Sequence, residues 1–391
     1  MIRGYVLGFS KPSQPIRYGD AELIQSTRGK YNLLIDGYCG KGTNKLIVYL
    51  KKRKIKNLYL ALSHAHYDHW YGLREIIRDP YFNVKCLYCY DPNTLKGGLR
   101  NNKGSISVRE DIEGLENLIE EAKAKGIKVI FLKHGDKITL GDIKINIYRQ
   151  QPLYVADDDT EGWSYVNDGS LCFYFPDLYY WTSGDGSERI WDFIKSLGIK
   201  VKYFKIPHHG NNCTMSQARG LKSQGVNVCW YNHLEPDGVG TTEFTAYGAR
   251  RCKEAGITVL DCIGDINWIA YNGKIYIYHK GKNVTNYACP YSGASELKHA
   301  ASDIVRKVFE GVYGYVDDRV TNLIDAGYYF GSTQSKVNKV INVAVQIISG
   351  KVDYGANEER IKNLDQKFGR GYGQLIQDEI NSLLDAKSKK W

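Results

Sequence analysis

The 391-residue sequence predicts an α/β layered domain followed by a small all-α domain. Three observations carry this. Short apolar runs rich in β-branched and aromatic residues alternate with amphipathic helical stretches from Tyr5 to about Tyr278. Beyond residues 287–300 the texture changes to almost unbroken helical periodicity. Hydrophobic residues make up 43% of the chain and prolines number only nine, so there is material for a packed core and little that breaks it.

The strands are expected at 31–36, 57–63, 84–90, 128–132, 144–148, 170–175, 202–207, 226–231, 257–261 and 274–280. Between them, helical periodicity covers 73–79, 111–126, 187–198 and 242–256. The domain boundaries follow from the change of texture. Residues 1–285 form the α/β domain, 286–300 a linker, 301–341 a first helical repeat and 342–391 a second, more diverged one. The duplication rests on Gly311, Arg319, Asn322, Leu323, Gly327 and Asn338, matched in order by Gly350, Arg360, Asn363, Leu364, Gly369 and Asn381. A three-helix unit of about 40 residues is marginal alone, so the repeats are expected to pack together or onto the first domain.

Lys and Arg total 53 against 43 Asp and Glu, a net charge of +10. Before Tyr291 there are 39 basic and 30 acidic residues, and from Tyr291 onward 14 and 13, so nearly all of the surplus belongs to the α/β domain. That permits an anionic substrate there without demanding one. Nine cysteines spread from Cys39 to Cys289 fit reduced thiols, and the Cys86/Cys89 pair lies in a strand-like run with no second pair to complete a zinc site. No signal-peptide core and no membrane-length apolar run is present. The expectation is a cytoplasmic protein without membrane contact, whose arrival at a cell wall would need a signal-independent route.

The segment SHAHYDHWYG, residues 63–72, leaves an apolar strand and enters a helix. It compresses His64, His66, Asp68 and His69 into six residues. Alternate residues of an extended loop point the same way, so His64 and His66 can hold one divalent ion while Asp68 and His69 turn toward a second. Imidazoles with a carboxylate suit zinc, manganese or iron rather than calcium.

HAHYDH, preceded by LALS, resembles the HxHxDH motif of the metallo-β-lactamase fold superfamily. GDAELI (19–24) and YNLLIDG (31–37) resemble its first strands, SGD (183–185) its metal-bridging aspartate, and VNDGSLCFYF (166–175) with KIPHHG (205–210) the branch of the competence DNA-uptake hydrolase domain and choline-phosphate esterase. The resemblance covers about residues 1–280 and implies an αββα sandwich with two divalent ions. His64 and His66 would hold the first, Asp68, His69 and His233 the second, and Asp185 both. Asp36 would orient an imidazole from behind, and Asp68, His208 and His209 would serve the chemistry. One departure stands out: the family's third histidine for the first ion has no counterpart at its expected place near 148–159. His134, the only histidine in that interval, reads as a turn residue, leaving Asp157, Asp158, Asp159 or Asn167 as substitutes, or a weakly held first ion.

The C-terminal segment DIVRKVFEGVYGYVDDRVTNLIDAGY…STQSKVNKV (303–340) resembles the three-helix cell-wall-binding repeat of phage lysins, which implies binding of peptidoglycan fragments. The resulting expectation is a metal-dependent phosphodiesterase acting on cell-wall polymer or nucleic acid. Two alternatives stay open: a metallohydrolase of an ester, lactone or amide bond, and a non-enzymatic wall-binding protein whose metal site has decayed.

Overall fold

The structure, a computed structural model, describes residues 1–7, 19–96, 106–151, 165–187, 189–231, 247–261, 266–295 and 297–388. The chain divides into two units, Met1–His279 with Val284–Ala294, and Lys280–Asn283 with Ser295–Trp391.

The first unit is built on strands β1 (Ile2–Val6), β2 (Glu22–Gln25), β3 (Asn32–Ile35), β4 (Asn57–Ala61), β5 (Asn83–Cys89), β6 (Lys128–Phe131), β7 (Lys137–Leu140), β8 (Ile143–Arg149), β9 (Leu171–Phe175), β10 (Tyr180–Thr182), β11 (Tyr203–Lys205), β12 (Val228–Trp230), β13 (Thr258–Leu260), β14 (Ile266–Tyr271), β15 (Lys274–His279) and β16 (Lys282–Ala288). They form two mixed sheets, in the orders β16-β15-β14-β1-β2-β3-β4-β5-β6 and β13-β12-β11-β10-β9-β8-β7. Strands β3 to β6 run parallel, as do β10 to β13. The helices Gly40–Lys52, Tyr67–Arg78 and Ile106–Ala124 flank the first sheet; Ile190–Ser196, Met215–Ser223 and Tyr247–Glu254 flank the second. This is the expected αββα sandwich.

Strand periodicity explains how the second sheet faces two cores. On β9, Leu171, Phe173 and Phe175 enter the core shared by both sheets, while Cys172 and Tyr174 enter the smaller core beneath the outer helices. The same alternation separates Tyr180 from Trp181 and Tyr203 from Phe204. It also sends Lys205, two residues after Tyr203, inward at the carboxyl end of β11, where it is 1% exposed.

Several strands lack a clear signal in the sequence. β1 is interrupted by Gly4, where a Cβ would fall 1.9 Å from the Trp268 ring of its neighbour β14. A glycine in a strand weakens the apolar pattern, yet here it makes room for a buried indole. The helix from Tyr67 begins six residues before the expected 73–79 stretch, so Asp68 and His69 lie in its first turn and not in the preceding loop. Cys86 and Cys89 are buried free thiols on β5.

The second unit contains the helices Ser302–Phe309, Val316–Asp325, Phe330–Ile348, Asn357–Phe368 and Tyr372–Ser388. The helix Phe330–Ile348 runs straight through the expected repeat boundary at 341/342, closing one copy and opening the next. Both copies carry the same polar arrangement. Arg319 donates from Nε to the Gly314 carbonyl (3.2 Å) and from Nη1 to Gln334 (3.1 Å). Arg360 does so to Gly355 (2.7 Å) and Gln377 (3.3 Å). Asn322 and Asn363 donate to the carbonyls of Tyr313 and Tyr354, and Gln334 and Gln377 donate onward to Asn338 and Asn381. Leu323 and Leu364 are both fully buried. The duplication is therefore one of hydrogen bonds as well as of residues.

Candidate metal centre

Ligand-type side chains converge at the carboxyl ends of parallel strands, where an α/β sheet presents loops instead of ladder partners. Asp36 follows β3, His64 and His66 follow β4, Asp185 follows β10, and His208 and His209 follow β11. Local backbone geometry enforces the convergence. Gly184 has a φ of +52°, and a Cβ there would fall 2.3 Å from Ser63 Oγ, so only glycine lets Asp185 approach the HAHYDH loop. His208 and His209 both have a φ of 52°, a rare left-handed pair placed right after Pro207.

Three groups result among the described residues, each with its ligand atoms within 4.8 Å of one another: Asp68, His69, Asp185 and His209; His64, His66 and Asp185; and Asp20, Asp36 and His69, whose carboxylates lie on the Nδ1 side of His69. In the first, His209 Nε2 lies 3.2 Å from Asp185 Oδ2 and 3.3 Å from Asp68 Oδ2, and His69 Nε2 lies 3.3 and 3.7 Å from the same atoms. In the second, His64 Nε2 is 3.0 Å from His66 Nδ1 and 3.8 Å from Asp185 Oδ2. Four ligands around one ion at metal–nitrogen distances of about 2.0–2.1 Å stand about 3.3 Å apart, so these spacings fit divalent ions sharing Asp185. His69 Nε2 is buried with no hydrogen-bond partner among the described residues, as an inward ligand atom would be.

Three of the four imidazoles face a partner within 3.3 Å on their other nitrogen, which favours the inward tautomer. His69 Nδ1 faces Asp36 Oδ2 at 2.9 Å, and His209 Nδ1 faces Asp20 Oδ1 at 3.3 Å. Ser63 Oγ donates to Asp36 Oδ2 (2.7 Å) and so accepts from His64 Nδ1 (2.9 Å), leaving His64 Nε2 free to bind. His66 Nε2 faces Asp111 Oδ2 at 3.6 Å. Asp36 thus contacts both the Ser63 hydroxyl and His69 Nδ1. Asp20 and Asp111 were invisible in the sequence, each a single acidic residue remote from the motif.

The electrostatics separate the histidines. Burial holds His64 well below its ordinary value and lowers His66 to about 4, so both are neutral bases. Burial opposes charge on His69 and His209 too, but Asp185, with Asp68 beside His69 and Asp20 beside His209, raises both well above the usual imidazole range. Burial would raise Asp185, yet the two imidazoles hold it well down. Burial, with Asp68 and Glu110 nearby, raises Asp111 to about 7.

The sequence treats His208 and His209 alike, and the structure separates them. His209 enters a ligand cluster, while His208 is half-buried outside it, its pKa lowered by burial. His233, expected among the second ion's ligands, lies outside the described residues, as do Asp157, Asp158 and Asp159. Asn167 is buried on the short helical stretch 165–168 before β9, and its Oδ1 has no hydrogen-bond partner among the described residues. His134 sits in the turn between β6 and β7 against Tyr148 and Phe193, away from both clusters.

No family model matches the chain, and no curated protein matches its sequence. Among solved structures it is similar to the metallo-beta-lactamase fold protein YhfI from Bacillus subtilis, with 16% identity over 67% of this chain and 96% of that one and a TM-score of 0.41. It is also similar to Igni18, a metallo hydrolase from the archaeon Ignicoccus hospitalis, with 16% identity, coverage of 68% and 99%, and a TM-score of 0.40. The BLEG-1 B3 metallo-beta-lactamase is 18% identical over 47% of this chain and 72% of its own, with a TM-score of 0.28.

Proposed function

We propose that the chain is a metal-dependent phosphodiesterase of the metallo-β-lactamase fold superfamily. The observation that carries this reading is the pair of His/Asp clusters joined at Asp185. His64 and His66 would hold one divalent ion, Asp68, His69 and His209 the other, and Asp185 both. Ions so held lower the pKa of a bound water and polarise a substrate oxygen. The protein's own groups supply the rest. Asp36 and Asp20 would hold His69 and His209 in their inward tautomers, as Ser63 would His64. His208, neutral and half-buried beside the clusters, can donate a hydrogen bond to a substrate oxygen or pass a proton to a leaving group.

The preference for a phosphodiester rests on the surplus of nine positive charges before Tyr291 and on the resemblance of KIPHHG to the phosphodiesterase-like branch. The purified protein should release a chromogenic alcohol from an aryl phosphodiester, lose this activity to a chelator and regain it with zinc, manganese or iron. Turnover of an ester, lactone or lactam with phosphodiester inertness would overturn the substrate class. Full activity in a His64→Ala/His66→Ala variant would overturn the metal reading.

The duplicated Arg, Gln and Asn arrangement of the second unit supports a wall-directed role, in which the repeats bind a peptidoglycan fragment. The full chain should then cosediment with purified peptidoglycan, and Arg319→Ala/Arg360→Ala should abolish this while leaving hydrolysis intact. Unchanged sedimentation would leave nucleic acid as the preferred substrate.

A further inference from the structure

Beneath the clusters lies a buried charge group that the proposed chemistry does not use. Lys205 Nζ forms an ion pair with Asp20 Oδ2 and donates to the Gly184 carbonyl at 2.9 Å. Both side chains are almost wholly excluded from solvent, at 1% and 2% exposure. Glu22 adjoins them on β2, accepting from Tyr180 Oη and from Thr182 Oγ1 (3.4 Å). A buried ammonium is costly unless paired and hydrogen-bonded, and a hydrophobic residue at this strand position would fill the same space. Something other than packing must account for a lysine here.

Its contacts supply the reason. Asp20 bonded to Lys205 presents its other oxygen, Oδ1, to His209 Nδ1 at 3.3 Å. The Gly184 carbonyl bonded to Lys205 belongs to the residue before Asp185, and it also accepts from the His208 backbone N–H at 3.3 Å. One ammonium therefore touches the supports of two groups that face each other across 3.2 Å, His209 and Asp185. Without it, Asp20 loses the partner that fixes the plane of its carboxylate, and the oxygen it presents to His209 Nδ1 is no longer held in place.

We propose that Lys205 is a positioning residue for the metal centre: clamped between Asp20 and Gly184, it fixes His209 with Nδ1–H outward and Nε2 inward, and the ion held by Asp68, His69 and His209 binds tightly only while that clamp is intact. This inference rests on the two-ion reading above.

The test uses the full chain and zinc. Wild-type protein should retain two ions per chain after dialysis; fewer than one would sink the two-ion reading and this inference with it. In Lys205→Met, chelator competition should show the second ion weakened about 10–100-fold and the first unchanged. Because that variant strands a buried carboxylate and can fail to fold, Asp20→Asn/Lys205→Met serves as its partner, with neither charge present. If Lys205 only neutralises Asp20, the double variant binds the second ion as tightly as Asp20→Asn alone, and the inference is overturned. If Lys205 positions His209, the double variant folds and binds the second ion more weakly than Asp20→Asn does. A measurement on the wild type needs no variant at all. The ¹⁵N spectrum of zinc-loaded, histidine-labelled protein should show His209 protonated at Nδ1, and protonation at Nε2 would refute the proposal.

Discussion

Asp111 Oδ2 stands 3.6 Å from His66 Nε2, on the side of the ring turned away from His64. The helix that carries Asp111, Ile106–Ala124, is separate from the one that carries Asp68 and His69. A carboxylate in this place makes the imidazole a stronger and better-aimed donor through Nδ1. Asp111→Asn should weaken the first ion about 10–100-fold, with the second unaffected. Chelator competition on the two variants Asp111→Asn and Asp20→Asn should therefore give opposite patterns, one ion each.

Asp185 belongs to both clusters, so its loss cannot be confined to one ion. Asp185→Ala should leave less than one tightly held zinc per chain and reduce kcat/KM by more than the roughly 10–100-fold of a supporting residue. Retention of two ions in this variant would show that the clusters do not share it.

His208 and His209 should part company under mutation. His208→Ala is expected to keep both ions and to lose about 10²–10⁴-fold in kcat. His209→Ala is expected to lose one ion. Equal metal content with equal loss of turnover would mean that the two are interchangeable.

The metal-free protein should lose stability as pH rises. His69 and His209 have raised folded-state values, so their contribution is complete below the unfolded imidazole value of about 6.5 and disappears as pH climbs through the folded ones. Glu22 and Asp111, each raised to about 7 by burial, act in the same sense because the folded state again holds more protons than the unfolded. The melting temperature of chelated protein should fall above about pH 7.5, where His64, His66 and His208, whose lowered values act in the opposite sense near 6.5, no longer contribute, and metal binding near neutrality should expel about two protons per chain, measurable from the buffer dependence of the binding enthalpy. A rising melting temperature would contradict this.

Gly184→Ala should cost about 1–3 kcal/mol, since the φ of +52° disfavours any side chain and the new methyl would meet Ser63 Oγ. Urea unfolding of the metal-free variant measures this independently of any ion.

The parts of the site that sequence reading finds are those written close together. HAHYDH places four ligand-type residues within six, and no packing requirement would produce that run. Asp36, Asp185 and the paired histidines were reached because resemblance supplied their order. Asp20 and Lys205 lie inside segments that carried the resemblance, GDAELI and KIPHHG, but nothing there assigned them a part, and Asp111 lies outside any such segment; their places follow only when the two sheets and a helix close around the loops. Lys205 did leave one trace: it falls at the inward parity of a strand, YFK, whose other inward residue is a fully buried tyrosine. Most strand positions were legible for the same reason as the motif, since strong period-2 runs need no distant partner. β1 was not, because Gly4 exists for the sake of Trp268, about 260 residues away.

Asp36 has a consequence of its own. One of its oxygens bonds the Ser63 backbone N–H, and the other serves both the Ser63 hydroxyl that orients His64 and the Nδ1 of His69. The first ion's site and the second ion's site therefore lean on a single carboxylate. Removing that carboxylate should therefore loosen both ions at once, where the loss of Asp20 or Asp111 loosens one.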